Sequence, residues 1–304
     1  MGKLSAFAAW AVLSLTFILS AHSQANVFRV PRDIRVNHYF KFIDSVVAGV
    51  QNVVPYPVSE HIIVRANPWI IKRLASFDYY ENMKAGRFIY DQDTLVALPA
   101  GSGILIPDMA HAAAIADTLA HTLIDVNIPE FRLRIYEFGV LKFTFHVRVG
   151  KDKSQYVGTV GHKIDLRTPV GEGHIYRISR EPVFIKLNTG KRYTTTVRDD
   201  GKVTKMPMIP WLDPEIDGRK PGAMIHPTTN VETLDQSYSH GCVGMAENSA
   251  WIVYYHAPIG TAVQYRYCLH VKDENGNDVQ LKDIYGYGDG KCRNGMAVNP
   301  TPGQ

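Results

Sequence analysis

The sequence predicts a mainly β chain with a flanking helix, an α+β architecture. Three observations carry this. Phe131 to Tyr136 and Leu141 to Val147 alternate apolar and polar residues with period two, the pattern of half-buried strands. Ala246 to His256 is helical in pattern, with Trp251, Ile252, Tyr254 and Tyr255 expected to pack inward. Of 304 residues, 45% are hydrophobic and 20% charged, which allows a packed core and excludes wholesale disorder.

Taken in order, residues 1–23 have the features of a secretory signal peptide. Lys3 supplies the positive start, and Ala6 to Leu19 is apolar except for Ser14 and Thr16. Ala21-His22-Ser23 is a small-x-small cleavage site that predicts Gln24 as the mature N-terminus. Later stretches fall short of 18 consecutive apolar residues, so no stable membrane span is expected in the mature chain. Residues 24–66 show no sustained period. Asn67-Pro68 is an N-cap followed by proline at the first helical position, and Trp69 to Leu74 continues as a short helix. Thr94 to Asp108 is two apolar segments around an Ala-Gly-Ser-Gly turn, and Ala110 to Leu123 is a connector helix.

Alternation takes over beyond a boundary near residue 125. Gly139 suggests a hairpin turn between the first two strands. Further strands are expected at Gly173 to Ile178, Val183 to Leu187, Tyr193 to Val197, Met224 to His226 and Thr261 to Tyr267. Residues 188–222 mix basic, acidic, Gly and Pro residues, a composition suited to a mobile loop or lid. Within it, Trp211 is either a cover over a bound peptide or a core plug.

A net charge of +4 gives no argument for nucleic acid. Three cysteines are too few for a disulfide scaffold, and no C-x-x-C pair suggests zinc. Cys268 and Cys292 flank a polar, Gly-rich stretch and either bridge it or stay as thiols. If they pair, Cys242 is the thiol left over.

Chemistry concentrates between His226 and Cys242. A thiol transfers acyl groups only as thiolate, so it needs a base or a positive environment. His226, ending a predicted strand, is the candidate base. Gly241 permits a tight turn before Cys242, just ahead of the Ala246 helix. Unpaired backbone N–H groups there are candidates for an oxyanion hole. Ser239 is expected as a turn former. Set beside these are plainer readings: an inert buried cysteine with structural histidines, or His226, His240 and Cys242 as zinc ligands.

His226 followed by Ser239-His240-Gly241-Cys242 resembles the signature of the L,D-transpeptidase catalytic domain family of the YkuD type. Ile124 to Leu133 resembles its opening strand. Val149-Gly150-Lys151 and Thr168-Pro169-Val170-Gly171-Glu172-Gly173 resemble its Gly-Lys and Thr-Pro-x-Gly segments. Gly260-Thr261-Ala262-Val263 resembles the strand after the motif helix. Leu98 to Pro107 resembles the end of a LysM module, here degenerate. The resemblance implies a β-sandwich of mixed sheets with a flanking helix, preceded by a small α/β LysM-like region. It divides the chain into 1–23, an N-terminal region 24–123, a catalytic domain 124–268 and a loop-rich extension 269–304.

The same resemblance implies Cys242 as nucleophile and His226 as general base, its tautomer held by the Pro227 carbonyl. It places the amides of His240, Gly241 and Cys242 at the oxyanion hole. The substrate would be a peptidoglycan stem peptide, attacked between diaminopimelate and D-alanine with release of D-alanine. The acceptor would be another stem peptide, a lipoprotein or other protein amine, or water, without metal or organic cofactor. The compartment would be the periplasm. Two positions depart from the family pattern: Gly244, where Arg or Asn is frequent, and Pro227, where Gly is usual. A non-catalytic wall-binding protein that kept the fold is the rival class.

Overall fold

The computed structural model describes residues 26–158, 161–186, 189–273, 275–288 and Cys292. The expected signal peptide and Gln24 lie outside them. Among the described residues the dominant element is a nine-stranded mixed sheet. Its order runs Ser237–Ser239, Val140–Gly150, Val243–Met245, Ile225–Pro227, Trp211–Ile216, Gly171–Ser179, Ala262–Arg266, Thr122–Asn127 and Arg132–Glu137.

Val140–Gly150 is long enough to serve both ends of this order. Its first half pairs with Arg132–Glu137, and its second half with Val243–Met245 and Ser237–Ser239. The expected mixed sheets are therefore one continuous sheet that closes on itself, barrel-like. Period two puts one side of each strand inward. Leu133, Ile135, Val147, Val149, Ile175, Ile225, Val243 and Val263 are buried in the core. The helix Glu247–His256 packs outside the base strand Ile225–Pro227 and turns Trp251, Tyr254 and Tyr255 into the same core.

The N-terminal region is α/β. Asn26–Arg29 pairs antiparallel with Gly103–Ile106, and Ile34–Arg35 with Val96–Leu98. Helices Val36–Gln51, Glu60–Arg65, Pro68–Ala75 and Tyr79–Lys84 lie between these strands in sequence. The first of them falls where the sequence shows no sustained period, yet it buries Val36, Tyr39, Phe40, Ile43, Val46 and Val50 along one face. Phe40 packs edge-on against Tyr254, and Tyr39 and Tyr255 share a hydroxyl hydrogen bond. The core thus runs without a break into the C-terminal half.

Several expectations are corrected. The connector helix spans Met109–Ala120, and Thr122 and Leu123 join a strand that pairs parallel with Ala262–Arg266, tertiary pairing overriding local preference. Asn67 precedes the Pro68 helix but makes no cap bond. Its side chain instead binds the Ile63 carbonyl and both backbone groups of Leu105. The 183–187 strand is absent: Ile185 makes one isolated bridge to Arg192, and Val183 and Ile185 are exposed. Leu187 lies outside the described residues. The 193–197 strand is shortened to Thr195–Val197, which forms a hairpin with Val203–Lys205. Residues 189–222 are thus not a plain loop, because that hairpin and the sheet strand Trp211–Ile216 occupy much of them.

Candidate active site

Adjacent strands bring the motif together. Ile225–Pro227 and Val243–Met245 run parallel, with His226 in register with Gly244. Cys242 therefore sits just ahead of a strand that neighbours the strand carrying His226. On the other side Leu212 pairs antiparallel with Ile225, which sets Trp211 beside His226. Their rings lie 4.9 Å apart between centroids.

His226 is half-buried, and its Nδ1 lies 2.8 Å from the Pro227 carbonyl oxygen. A carbonyl only accepts, so Nδ1 carries the proton and donates, leaving Nε2 as the basic nitrogen. Burial holds the imidazole down to about 4, and the Arg148 charge adds to this while the Pro227 bond opposes it. The Cys242 thiol donates to the Gly222 carbonyl at 3.6 Å and makes no hydrogen bond to His226. Burial pushes the thiol up to about 11, with the Met224 backbone and Arg148 pulling the other way. The resting pair is therefore neutral thiol and neutral imidazole.

The turn before the nucleophile is braced by side chains. Ser239 Oγ donates to the Cys242 carbonyl at 2.6 Å and accepts from the Gly241 N–H at 3.2 Å. Gly241 has φ +104°, a region that disfavours other residues. Its carbonyl accepts from the Thr168 hydroxyl at 3.0 Å, and Thr168 Oγ1 in turn accepts from the Gly150 N–H at 2.8 Å. A Cβ on Gly150 would lie 2.0 Å from the Leu166 carbonyl oxygen, so this approach requires glycine. The Tyr285 hydroxyl donates to the Gly150 carbonyl at 2.6 Å. Tyr285 is buried, and the extension carrying it is closed by a Cys268–Cys292 disulfide. Cys242 is the free cysteine.

The backbone N–H groups of His240 and Cys242 make no hydrogen bond among the described residues, whereas that of Gly241 is engaged by Ser239. The His240 side chain is exposed. Its imidazole is held below its usual range by desolvation and by the charges of Lys151 and Arg148. Among the described residues no three His, Cys, Asp or Glu side chains gather as a metal site. Nor is any described helix long and apolar enough to cross a membrane.

Motif reasoning missed Arg148, Thr168 as a brace, and Tyr285. Of these, Thr168 had a signal, because it opens the Thr-Pro-x-Gly segment. It also missed how the loop between base and nucleophile is held. Asp199, beside the hairpin, accepts from Asn230 Nδ2, the Glu232 N–H and the Tyr80 hydroxyl.

A closed mixed sheet that sets a histidine on one strand and a cysteine just ahead of the neighbouring strand defines a Cys–His site on a β scaffold. Residues 121–264 match the model of the YkuD family, the L,D-transpeptidase catalytic domain. Over those residues the chain is similar to an L,D-transpeptidase catalytic domain. Similar solved structures include an L,D-transpeptidase from Mycobacterium smegmatis, with 15% identity, 48% of this chain and 58% of that one covered, and a TM-score of 0.34. Another is the L,D-transpeptidase of Xylanimonas cellulosilytica, with 14% identity, coverage of 78% and 97%, and a TM-score of 0.35. A third is a mutant of the Enterococcus faecium L,D-transpeptidase, with 15% identity, coverage of 48% and 49%, and a TM-score of 0.32. The chain spans less than two thirds of the length of the first and third of these. No curated protein matches the chain in sequence.

Proposed function

We propose that this protein is an exported L,D-transpeptidase that acts on peptidoglycan stem peptides through a Cys242 thioester. The observation that carries the reading is the neighbouring placement of Cys242 and His226, with His226 Nδ1 tied to the Pro227 carbonyl. That bond leaves Nε2 free to take the thiol proton once the sulfur turns from Gly222. The thiolate attacks the acyl carbon of the bond between diaminopimelate and D-alanine. The developing oxyanion would lie near the Cys242 and His240 amides, which make no hydrogen bond among the described residues. The C–N bond breaks, the D-alanine nitrogen takes the proton from His226, and a thioester remains. An acceptor amine then attacks the thioester carbon, gives its proton to Nε2, and the thiol is restored. The acceptor is a stem peptide or a protein amine, and water in its place gives hydrolysis.

Two features support export to the periplasm: the signal-peptide pattern of residues 1–23, and a disulfide, which persists in oxidising compartments. The test is incubation with tetrapeptide muropeptides and mass analysis of products and protein. D-alanine release with a Cys242 adduct, both lost in Cys242→Ala, supports the reading. Neither event in the wild type leaves the rival, a non-catalytic wall-binding protein.

A further inference from the structure

Register across three strand pairs lines up one row of residues. Trp211 lies beside His226, His226 pairs with Gly244, and Gly244 pairs with Arg148 on Val140–Gly150. Residues in register on neighbouring strands point to the same face of a sheet. The row therefore presents an indole, an imidazole, a position without a side chain, and a guanidinium. Cys242, two residues before Gly244, belongs to the same side by period two.

Arg148 fills the gap that Gly244 leaves. A Cβ at 244 would lie 2.7 Å from Arg148 Nε, 2.9 Å from Cγ and 3.2 Å from Cδ. The arginine stem thus runs over the glycine, and any larger residue there would displace it. Arg148 Nη1 donates to Thr233 Oγ1 at 2.9 Å, which fixes the group. Nε is buried without a partner. A guanidinium can offer two parallel N–H bonds to a carboxylate, and here the Nε side remains uncommitted. Its charge is felt at Cys242, His226 and His240, which places it within the catalytic cluster.

We propose that Arg148 is a specificity-determining residue that binds the terminal carboxylate of the donor peptide, from a neighbouring strand and through the space left by Gly244. This rests on the donor reading above, in which the leaving residue carries that carboxylate. The carboxylate would supply the one missing hydrogen bond at Nε, and it would hold the scissile bond between Cys242 and His226.

The test compares two donors, a tetrapeptide with a free terminal carboxylate and its terminal amide, by the rate of Cys242 acylation. The wild type should prefer the acid by about 10- to 100-fold, the range for a charge-assisted hydrogen bond. Arg148→Gln should lose that preference: both rates fall, because the Arg148 charge also acts on the Cys242 thiol, and the acid rate should fall about 10- to 100-fold further than the amide rate. Gly244→Arg alone should disturb the site. The double variant Arg148→Ala/Gly244→Arg should regain part of the preference, since the three atoms nearest a Cβ at 244 all belong to the Arg148 side chain. A structural role for Arg148 would slow both donors equally and would not be rescued. Equal wild-type rates with acid and amide would overturn the proposal and leave the transpeptidase reading intact. No acylation by either donor would remove both. Should the variants not fold, the acid-to-amide ratio of the wild type decides alone.

Discussion

The indole of Trp211 lies tilted by 36° against the imidazole of His226, and its Nε1 is buried without a hydrogen-bond partner. Phe184 packs edge-on against the same indole at 5.4 Å. The histidine is thus held from two directions, by a ring on its face and by the Pro227 carbonyl at Nδ1. Trp211 belongs to a sheet strand paired with Gly171–Ser179, so it supports the base in place and does not swing over a substrate.

Trp211→Ala should therefore slow acylation by up to about 100-fold, the cost of a base displaced by an ångström or so. Transfer to amines and hydrolysis should fall together, with a lower melting temperature. Trp211→Phe should keep most of both. A variant that loses amine transfer selectively, at unchanged melting temperature, would restore the lid idea.

The titration of the same pair gives a pH prediction. An unfolded histidine binds its proton near pH 6.5, as a rough model value. Folded, His226 binds it only near 4. Between these values the unfolded chain holds more protons, so stability falls as pH drops from the first to the second. The thiol acts at the other end: it ionises at about 8.5 when unfolded, but keeps its proton to about 11 when folded. Stability should fall again as pH rises across that window. Melting curves from pH 4 to 11 check this. His226→Gln should flatten part of the acid limb, while His61, also held down to about 4 by burial, and His240 and His256, lowered chiefly by burial, keep other parts of it. An acid limb as steep in His226→Gln as in the wild type would mean that His226 is not buried in its neutral form.

How much of this was legible in the sequence depends on distance along the chain. His226, Ser239, Gly241 and Cys242 form a local pattern whose chemistry follows from residue type and order. Arg148 does not, because its place beside Gly244 is set by strand register, and register depends on the closed sheet. Tyr285 escaped for the same reason: its contact with Gly150 exists only once the extension folds back. The helix Val36–Gln51 had a helical spacing of apolar residues. Its β-branched and aromatic content obscured that spacing, since such residues also favour strands. The long strands after residue 125 were readable because one face is wet and alternation survives.

The extension offers its own prediction. The Cys268–Cys292 bridge closes a segment separated by 24 residues and carries Tyr285 to the Gly150 carbonyl. Denaturation without reductant should expose one titratable thiol, mapping to Cys242. Cys268→Ser/Cys292→Ser should cost about 3 kcal/mol, from the chain entropy of a loop this size. Tyr285→Phe should cost less stability yet slow acylation, because it loosens Gly150, and through Thr168 the Gly241 turn. Three free thiols in the unreduced protein would contradict the bridge. An unchanged acylation rate in Tyr285→Phe would confine that tyrosine to packing.

A buried ion pair ties three parts of the chain together and yields the last prediction. Arg198 Nη1 meets Glu247 Oε1 at 2.5 Å, and both side chains are 1% exposed. Arg198 follows the first strand of the hairpin, and Glu247 opens the helix after the nucleophile strand. Glu247 Oε2 also accepts from the Tyr79 N–H at 2.9 Å and from Gln92 Nε2 at 2.6 Å, both in the N-terminal region. Removing one partner of such a pair leaves an uncompensated buried charge, a cost of about 3–5 kcal/mol. Arg198→Met should be that costly near neutral pH. Burial already raises the Glu247 carboxyl above its ordinary range, while Arg198 opposes this. Without Arg198 the folded state should hold the Glu247 proton to still higher pH than the unfolded chain does. The folded state then binds more protons, so the variant's loss of stability relative to the wild type should be smallest below about pH 4.5, the ordinary glutamate range, and grow as pH rises above it. Arg198→Met/Glu247→Gln removes both charges and keeps an acceptor for Tyr79 and Gln92, so it should be more stable at pH 7 than Arg198→Met alone. Denaturant unfolding at pH 4.5 and pH 7 measures all of this. A single variant whose deficit relative to the wild type is the same at both pH values, or a double variant no better than the single at pH 7, would mean that the pair is held by packing and not by charge.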